Sequence, residues 1–422
     1  MTPRLTRASA PPPVRAVHLG LGAFHRAHQA WYTAADPAWG IAAYTFRNTE
    51  LPRLLTRQDG LFSLLVRDET RDRVETVGSI VRAHPGADTR QWLADVASPE
   101  VALITITVTE AAYTVPEPGA DSAVSRLAAG LRERFHAGAA PITLVPCDNV
   151  ADNGEVLRSL LRKVCQEPAF AEWVEHDVAV AGTVVDRITP ATTKRDVRMV
   201  RELTGRHDPA AVVTEPFAEW QIAGTFPRSR PAWERAGAQV VGDIGTYQRR
   251  KLWLLNAAHS LLAYTGLVRG HATVDQAAGD PVLGGLIESW WDTAAAYLPL
   301  PPGEITSYRR RLRDRFTAPG IRHLLSQIAA DGSHKIPARI LPVLHRERAR
   351  GRLPHSAVAG LAAWLDYLRE RDVRDARAAE LVRLARTAKP AQRVLVAIDP
   401  GLGDDRELLA AIDAELREVR AF

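Results

Sequence analysis

Short apolar runs alternate with helical stretches over the first 240 residues, and this pattern constrains the fold more than any other feature of the chain. The stretches between the runs, such as 120–136 and 153–166, have helical spacing. Near-continuous apolar strands that alternate with helices predict a parallel sheet covered on both faces. We therefore expect an α/β domain over residues 14–240, after a loose tail over residues 1–13. The apolar runs are 14–20, 42–47, 101–109, 142–147 and 178–186.

The pattern changes after about residue 240, where Arg, Leu and Ala dominate and runs of β-branched residues become rare. Helical spacing then continues to the end of the chain. We expect an α-helical second domain over residues 241–422, with the boundary within 225–246. A cleft between two domains is a usual place for a ligand. Examples of these helical stretches are 250–264, 281–296, 357–370, 376–388 and 405–420.

Composition excludes several classes of protein. The 422 residues include 54 basic and 49 acidic ones, and the net charge of +5 is too dispersed to favour nucleic-acid binding. No apolar run approaches the roughly 18 residues of a membrane helix. Two cysteines cannot form a disulfide framework or a four-cysteine zinc site. The first residues lack the apolar segment of a signal peptide, so we expect a cytoplasmic protein with no membrane partner.

A glycine turn follows the first apolar run. Gly20 and Gly22 precede a helical stretch that begins with Ala23 and Phe24. Two glycines at this point permit a tight turn and a close approach of a pyrophosphate to the helix N-terminus. The third glycine of the GxGxxG pattern would fall at His25, so an ordinary strand-to-helix turn is the alternative interpretation.

The second apolar run ends in the sequence Phe-Arg-Asn-Thr-Glu, with Arg47 as its basic residue. An acidic side chain at this point usually binds the ribose of NAD, whereas an arginine accommodates the 2′-phosphate of NADP. No carboxylate stands at the expected place in this sequence. The choice between NAD and NADP is therefore open at this level.

Lysine is rare in this chain: only five of the 54 basic residues are lysines. One of them, Lys251, shares much of one face of a predicted helix with Asn256 and His259. Arginine keeps its proton in a protein, whereas a desolvated lysine can lose its proton near neutral pH and then act as a base. An amide can donate a hydrogen bond to a developing alkoxide. A polar cap on a packed helix is the alternative interpretation.

Polar residues also follow two later strands. Asn149 lies in the sequence Pro-Cys-Asp-Asn, and Asp186 ends the run 178–186. Polar groups at the carboxyl ends of strands in a doubly wound sheet face the ligand crevice, although Asp and Asn also serve as simple turn and cap residues. Lys335 lies in the segment 331–337, which we expect to be a turn or a loop that offers a cation to an anionic substrate. No metal-binding pattern such as HExxH or CxxC occurs, and we expect no metal site.

Seven motifs, in register over more than 300 residues, resemble the long-chain polyol-specific dehydrogenase family, which includes mannitol 2-dehydrogenase and fructuronate reductase (D-mannonate oxidoreductase). The resemblance implies a Rossmann-like N-terminal domain, a helical C-terminal domain, and metal-independent hydride transfer with NAD or NADP. The motifs are HLGLGAFHRAHQAWYT, TITVTEAAY, PCDNVADNG, VVDRITPATT, EPFAEWQI, KLWLLNAAHSLLAYTG and DGSHKIPAR.

The resemblance also implies roles for individual residues. Lys251 corresponds to the general base on the substrate hydroxyl, and Asn149 and Asn256 to the pair that holds the reacting oxygen. His259 corresponds to a residue that orients the substrate. Asp186 and Lys335 correspond to further substrate-binding residues, and the cofactor-binding residues are Gly20, Gly22, Ala23, Phe24, Arg47 and Asn149. The chain departs from many relatives in carrying Ala-Ala after Asn256, where Gly-Ser is common.

Within the family, the motifs are more similar to fructuronate reductases, in part because Gln327 stands where mannitol 2-dehydrogenases carry an arginine. The expected reaction interconverts D-mannonate and D-fructuronate, and the partner is a small sugar acid or polyol. Oxidation of mannitol or another polyol is the alternative, and a non-catalytic nucleotide-binding relative is a remote one. We expect a monomer or a small homo-oligomer.

Overall fold

A computed structural model describes residues 3–68, 71–109, 112–117, 119–318 and 323–419. The motif TITVTEAAY therefore includes two residues, 110 and 111, that lie outside the described part of the chain. Contacts within the chain divide it into two compact units, and the first unit ends at Gly245 while the second begins at Thr246. Each unit is described by itself below.

The N-terminal unit is built on a six-stranded sheet in which every neighbouring pair of strands is parallel. The strand order is β5-β2-β1-β6-β7-β8. Two three-stranded sheets, β10-β3-β4 and β12-β11-β9, complete the unit. The strands are β1 Val14–Leu19, β2 Gly40–Tyr44, β3 Phe62–Val66, β4 Arg73–Val77, β5 Ile80–His84, β6 Leu103–Ile106, β7 Ile142–Pro146, β8 Val178–Val180, β9 Gly182–Asp186, β10 Val212–Thr214, β11 Glu219–Ala223 and β12 Gln239–Val240.

The order of the six strands is that of a dinucleotide-binding fold. The chain runs from β1 through β2 to β5 at one edge, and then returns to place β6 on the other side of β1. This reversal between β1 and β6 opens a crevice outside the carboxyl ends of the two strands, where open α/β sheets bind their ligands. The expectation of a Rossmann-like α/β domain is confirmed.

Helices cover both faces of the six-stranded sheet. Side chains of β1 point alternately to the two faces, so Ala16 packs in one hydrophobic cluster and Val17 and Leu19 pack in the other. Burial on both faces explains why the strands are apolar along their whole length. The helices of this unit are α1 Ala23–Ala27, α2 Gln29–Thr33, α3 Glu50–Thr56, α4 Thr89–Ala97, α5 Ala123–His136, α6 Asn153–Val164, α7 Pro168–Asp177 and α8 Lys194–Thr204.

The prediction of one strand over residues 178–186 is wrong, because the chain turns at Ala181 and the two halves join different sheets. The backbone N–H of Thr183 donates to the side chain of Asn153 (3.0 Å). Gly154 also lies so close to this bend that a Cβ atom there would be 2.9 Å from the Cα of Gly182. Contacts with α6 therefore end β8 and direct β9 into the sheet with β11.

Arg134 of α5 is completely buried, and no carboxylate is among its hydrogen-bond partners. Its guanidinium instead donates to four backbone carbonyls. The Nε and Nη2 atoms bond the carbonyl of Ala140 (2.8 and 2.6 Å), Nη1 bonds Val96 and Ser98 (2.7 and 3.1 Å), and Nη2 also bonds Val101 (3.0 Å). One side chain thus joins the end of α4 to the loops that precede β6 and β7.

The C-terminal unit is helical, as expected from the sequence. Its central helix is α17 (His355–Glu370), which is buried at every residue from Ser356 to Leu368 and packs against α10 and α20. A helix that is apolar on all sides is typical of the centre of a bundle. The helices here are α9 Ile244–Arg250, α10 Ala257–Val268, α11 Val274–Gly279, α12 Pro281–Ala295, α13 Pro302–Thr317, α14 Leu325–Ile328, α15 Gly332–Arg339, α16 Leu341–Arg348, α17 His355–Glu370, α18 Ala378–Ala385, α19 Pro390–Ile398 and α20 Arg406–Val419.

The prediction of a turn or loop over residues 331–337 is wrong, because the segment lies mostly within α15. Asp331 precedes the helix in the left-handed conformation (φ 57°). Ser333 is held by Asp375, which accepts its backbone N–H (2.8 Å) and its hydroxyl (2.7 Å). These tertiary hydrogen bonds stabilise the first turn of a helix that contains a proline, Pro337, in its interior. Among the described residues, none of the helices is long and apolar enough to cross a membrane.

Candidate active site

The turn after β1 requires glycine at its first position and leaves open space at its second. Gly20 has φ +109°, and an added Cβ atom would lie 1.8 Å from the carbonyl oxygen of Thr107. Its N–H and that of Leu21 both donate to the carbonyl of Tyr44 (2.9 and 2.8 Å). Gly22 is extended (φ −139°), and a Cβ atom there would meet only the carbonyl oxygen of Gly20, at 3.6 Å. The turn therefore provides the close backbone approach that a pyrophosphate needs.

His25 takes the place of the third glycine, which in other dinucleotide-binding folds allows the helix to pack closely on the strand. Its ring stacks on the ring of His18 from β1, with 3.3 Å between the centroids. His18 is fixed in turn by the hydroxyls of Thr105 (2.8 Å) and Thr107 (3.0 Å). Burial lowers the pKa of His18 to about 3 and that of His25 well below 6.5. Two neutral stacked rings thus hold α1, which begins with Ala23 and Phe24, against the sheet.

The residues that directly follow β2, from Thr45 to Thr49, include no acidic side chain. Arg47 is exposed, and the side chain of Asn48 accepts the backbone N–H groups of Glu50 (2.9 Å) and Leu51 (3.0 Å) at the start of α3. Glu50 is the first acidic residue after β2, but its side chain is 63% exposed and pairs with Arg53. The segment after β2 is thus a helix cap beside the exposed side chain of Arg47, and β2 itself contains no acidic residue that could bind the ribose.

Asn149 follows a firmly anchored segment at the end of β7. Asp148 is buried, and its carboxylate accepts the N–H of Val108 (2.6 Å) and the hydroxyl of Tyr113. Burial raises the pKa of Asp148 to about 7, although both hydrogen bonds act in the opposite direction. Asn153 donates to the carbonyls of Asp148 and Thr183 (both 3.1 Å). The backbone on both sides of Asn149 is therefore fixed, while its own side chain is exposed.

Asp186 ends β9, opposite Glu219 of β11, and is buried. It therefore belongs to a three-stranded sheet, whereas the sequence analysis placed it at the carboxyl end of a strand of the doubly wound sheet. Arg187 follows it and donates to the carbonyls of Ala27 (2.6 Å) and Glu215 (3.2 Å). Its guanidinium also lies over the ring of Trp31, 4.5 Å from the centroid. Arg187 thus connects Asp186 to the end of α1.

Lys251 and Asn256 are the first and last residues of a π-helical segment between α9 and α10. The N–H of Ala257 donates to the carbonyl of Leu252, five residues before it. In a regular α-helix, residues five apart differ by about 140° around the axis, so the predicted face would not have contained both residues. The wider π turn reduces this difference. Such segments are frequent at functional sites.

His259 lies one turn beyond Asn256, in α10. Its ring contacts those of Phe316 (4.7 Å between centroids) and His323 (5.2 Å). Burial lowers the pKa of His259 well below 6.5, and the nearby charges of His323, Arg315, Arg339 and Lys251 lower it further. The imidazole is therefore neutral at physiological pH, so it can donate and accept hydrogen bonds.

Arg339 of α15 was missed by the sequence analysis. Its Nη1 atom donates to the carbonyl of Asn256 (3.3 Å) and to the hydroxyl of Ser260 (3.0 Å). It is four residues from Lys335 in the DGSHKIPAR motif, so helical spacing could have identified it if the segment had been read as a helix. Burial lowers the pKa of Arg339 to about 10, which leaves the guanidinium charged at neutral pH.

Lys335 is half-buried, and its ammonium group is engaged by the protein. It donates to the carbonyls of Ile328 (3.1 Å) and Ala330 (2.6 Å) at the end of α14. Burial and the charge of Arg339 lower the pKa of Lys335. The structure thus brings Lys251, Asn256, His259, Arg339 and Lys335 together in the C-terminal unit, while Gly20, Gly22, Ala23, Phe24, Arg47, Asn149 and Asp186 lie in the N-terminal unit.

Residues 14–235 match the family model described as the mannitol dehydrogenase Rossmann domain, and residues 243–420 match that of the mannitol dehydrogenase C-terminal domain. The two models together span nearly the whole chain. The chain belongs to the mannitol dehydrogenase family. Members of this family are NAD-dependent oxidoreductases that act on polyols and sugar acids. The expectation of a dehydrogenase that uses NAD or NADP is confirmed, and the cofactor is NAD.

The relatives of this protein within the mannitol dehydrogenase family are named for different substrates. The chain is 33% identical to D-mannonate oxidoreductase of Escherichia coli, over 84% of this chain and 79% of the relative. It is also 33% identical to D-arabinitol 4-dehydrogenase of Ralstonia nicotianae, over 99% and 97%. Mannitol 2-dehydrogenase of Pseudomonas fluorescens, solved as a ternary complex with NAD and D-mannitol, is 28% identical with a TM-score of 0.80, over 97% and 92%.

The fit of the N-terminal unit to NAD depends on the turn after β1. Gly20 adopts a conformation that side chains rarely tolerate, and a Cβ atom added to Gly22 would make only one ordinary contact, with the carbonyl oxygen of Gly20 at 3.6 Å. Both features match a dinucleotide that binds across the crevice between β1 and β6. Within the described residues, no group of three or more His, Cys, Asp or Glu side chains could hold a metal ion.

Proposed function

We propose that this protein interconverts a sugar acid and its keto form, most specifically D-mannonate and D-fructuronate, with NAD as the cofactor and Lys251 as the general acid and base. Asn149 and Asn256 are the proposed amide donors to the reacting oxygen, and His259 orients the substrate. Asp186 and Lys335 are proposed to bind substrate more peripherally. The similarity to the Escherichia coli D-mannonate oxidoreductase supports this substrate.

The observation that carries the choice of a sugar acid is the positive charge around His259. The groups whose charges lower the pKa of its ring are His323, Arg315, Arg339 and Lys251. They lie in the segment before α14, in α13, in α15 and in the π-helical segment, respectively. A carboxylate on the substrate would compensate this charge, whereas a neutral polyol would not. Among these groups, Arg339 is held rigidly by Asn256 and Ser260, so its charge is fixed beside the catalytic face.

The proposed reaction is a transfer of hydride and proton from one carbinol. Bound NAD supplies the hydride acceptor. In the direction of oxidation, the neutral amine of Lys251 accepts the hydroxyl proton at Nζ as the C–H bond breaks. The amides of Asn149 and Asn256 donate hydrogen bonds to the oxygen as negative charge develops on it. In reduction, protonated Lys251 returns the proton to the oxygen.

The first experiment measures activity on D-mannonate, D-fructuronate, D-mannitol and D-fructose with NAD(H) and NADP(H). We expect the highest kcat/KM for the acid pair with NAD. Oxidation should become faster as pH rises and reduction slower, because the two directions need opposite protonation states of Lys251. Equal or greater efficiency with D-mannitol would favour the polyol reaction, and absence of activity on all four with intact NAD binding would favour a non-catalytic relative.

The second experiment tests the catalytic residues. Lys251→Ala should reduce kcat by roughly 10²–10⁴, and Asn256→Ala should reduce it by roughly 10²–10³. Lys163→Ala, in α6, is the matched control because it also removes one of the five lysines. Near-normal turnover of a correctly folded Lys251→Ala protein would refute the proposed mechanism.

We also propose that the protein acts in the cytoplasm, as a monomer or a small homo-oligomer, with no nucleic-acid or membrane partner. Both cysteines are free and buried, which is compatible with a reducing compartment. Sedimentation analysis of the purified full chain measures the oligomeric state directly.

A further inference from the structure

The π-helical segment that carries Lys251 receives two hydrogen bonds from side chains of another helix. The indole N–H of Trp290 donates to the carbonyl of Trp253 (2.6 Å), and that of Trp291 donates to the carbonyl of Leu254 (2.8 Å). Both tryptophans belong to α12 and are fully buried, with 0% and 1% of their surface exposed. Two consecutive side chains thus bind two consecutive carbonyls in the middle of the segment.

These two hydrogen bonds bind a segment whose backbone geometry is less favourable than that of an α-helix. A π turn contains one more residue than an α turn, and it is rare because its backbone geometry is less favourable. Helices depart sharply from regular geometry where a side chain inserts into the backbone hydrogen-bond ladder. The two indoles donate to the carbonyls that directly follow Leu252, whose own carbonyl accepts the five-residue hydrogen bond from Ala257.

The tryptophans are themselves held in fixed positions. The side chain of Asp280 accepts the N–H of Val282 (2.9 Å) at the start of α12, and it is also bonded by Arg269 (2.8 Å). Near the other end, Arg309 lies over the ring of Trp291, 5.7 Å from its centroid, while bonding Glu288 (2.7 Å). The donors are therefore presented by a rigid helix, as a device that positions another segment requires.

We propose that Trp290 and Trp291 are positioning residues, whose indole N–H groups hold residues 251–256 in the π conformation and thereby align Lys251 with Asn256. This inference rests on the proposed function in one respect: it takes Lys251 as the general acid and base. If the segment relaxed to an α-helix, Lys251 would rotate relative to Asn256 by about 100°, the angle of one residue. The amine and the amide could then no longer act on one oxygen atom.

Phenylalanine separates this role from simple core packing, because it keeps an aromatic ring and removes the N–H donor. We expect Trp290→Phe and Trp291→Phe each to reduce kcat about tenfold, and the double variant to reduce it by roughly a hundredfold, since small misplacements of catalytic groups have effects of this size. The Kd for NAD should not change, because the indoles touch only the C-terminal unit in these contacts. The pH profile of kcat should shift in both directions of reaction.

Trp233→Phe is the matched control. Trp233 is also fully buried, and its indole N–H donates to the hydroxyl of Thr33 (3.0 Å) in the N-terminal unit. It should lower the melting temperature to a similar extent, because it loses an equivalent hydrogen bond, while leaving kcat and its pH profile unchanged. A crystal structure of the Trp290→Phe, Trp291→Phe double variant should show residues 251–256 with α-helical hydrogen bonds.

The outcomes distinguish this inference from the proposed function. If Lys251→Ala abolishes turnover but the double variant keeps normal kcat and loses only stability, as is expected of Trp233→Phe, the positioning role is refuted and the proposed function stands. A retained π segment in the double variant refutes it as well. If Lys251→Ala itself leaves turnover intact, the proposed function fails independently of the tryptophans.

Discussion

Replacing each glycine of the turn after β1 by alanine should have opposite consequences for stability and cofactor binding. Gly20→Ala adds a methyl group 1.8 Å from the carbonyl oxygen of Thr107, at a residue with φ +109°. Gly22→Ala adds the same group where the nearest atom is the carbonyl oxygen of Gly20 at 3.6 Å, at φ −139°. The two variants are chemically identical and lie two residues apart, so each serves as the control for the other.

The expected loss of stability in Gly20→Ala follows from its contacts. The left-handed conformation costs an alanine about 1–2 kcal/mol. Relief of the overlap with Thr107 also requires the turn to move away from β6. This movement weakens the two hydrogen bonds to Tyr44 and the one from the Thr107 hydroxyl to the Gly20 carbonyl (2.9 Å). At about 1 kcal/mol for each of the three bonds, the free energy of unfolding should fall by about 4–5 kcal/mol in total.

Gly22→Ala should instead leave the fold intact. Extended backbone accepts alanine without strain, and the substitution restricts the unfolded chain, so stability should change by less than about 1 kcal/mol. The added methyl group would occupy the space through which a pyrophosphate approaches the backbone. We expect the Kd for NAD to rise at least tenfold, or about 1.4 kcal/mol of binding free energy.

Both variants can be measured by urea unfolding followed by circular dichroism and by fluorescence titration with NADH. The reasoning predicts that Gly20→Ala loses stability and that Gly22→Ala loses affinity at unchanged stability. Normal NADH binding by Gly22→Ala would show that the cofactor does not pass this turn. If Gly20→Ala does not lower the free energy of unfolding, the carboxyl ends of β1 and β6 can separate without loss of stability, and the reasoning is wrong.

Two further predictions concern buried polar groups of the N-terminal unit. The pKa of His18 is about 3 in the folded protein and 6.5 in the unfolded chain, so the unfolded state binds an additional proton below pH 6.5 and the free energy of unfolding must fall on acidification. This residue alone should lower the free energy of unfolding by about 3 kcal/mol between pH 7 and pH 4. Urea unfolding of His18→Gln should therefore show a smaller pH dependence. Asn153→Ala leaves the N–H of Thr183 and two carbonyls unpaired, so the free energy of unfolding should fall by about 3 kcal/mol. Glu155→Ala, on the exposed face of α6, should change it by less than about 0.5 kcal/mol, and an equal loss in both would contradict the role of the buried amide.

The parts of the fold that could be predicted from the sequence are those in which local pattern and burial agree. The run before Gly20 is apolar because β1 is covered on both faces, and that property is visible residue by residue. The division of residues 178–186 into two strands is not visible in the same way. It depends on the side chain of Asn153, about thirty residues earlier, which takes the N–H of Thr183.

The same distinction applies to the candidate site. Lys251, Asn256 and His259 could be selected as candidates from their residue types, because lysine is scarce and an amide and an imidazole follow within eight residues. The π conformation could not, because the hydrogen bonds that we propose to hold it come from Trp290 and Trp291, which lie in a different helix. Arg339 was missed for a related reason: the helix that contains it follows an aspartate, begins with a glycine and includes a proline, and these residue types suggest a loop.

The buried guanidinium of Arg134 bears on the composition of the whole chain. It makes five hydrogen bonds to four carbonyls, whereas an ammonium group has three donors on one atom and could not reach carbonyls spread around a plane. Arg187 bridges separate carbonyls in the same manner. At such positions the arginine side chain holds the loop backbone through hydrogen bonds to its carbonyls. Exchange for lysine would remove most of these hydrogen bonds even though the charge stays the same. If arginines are replaced by lysines throughout the chain to modify solubility, these two buried residues should therefore be kept.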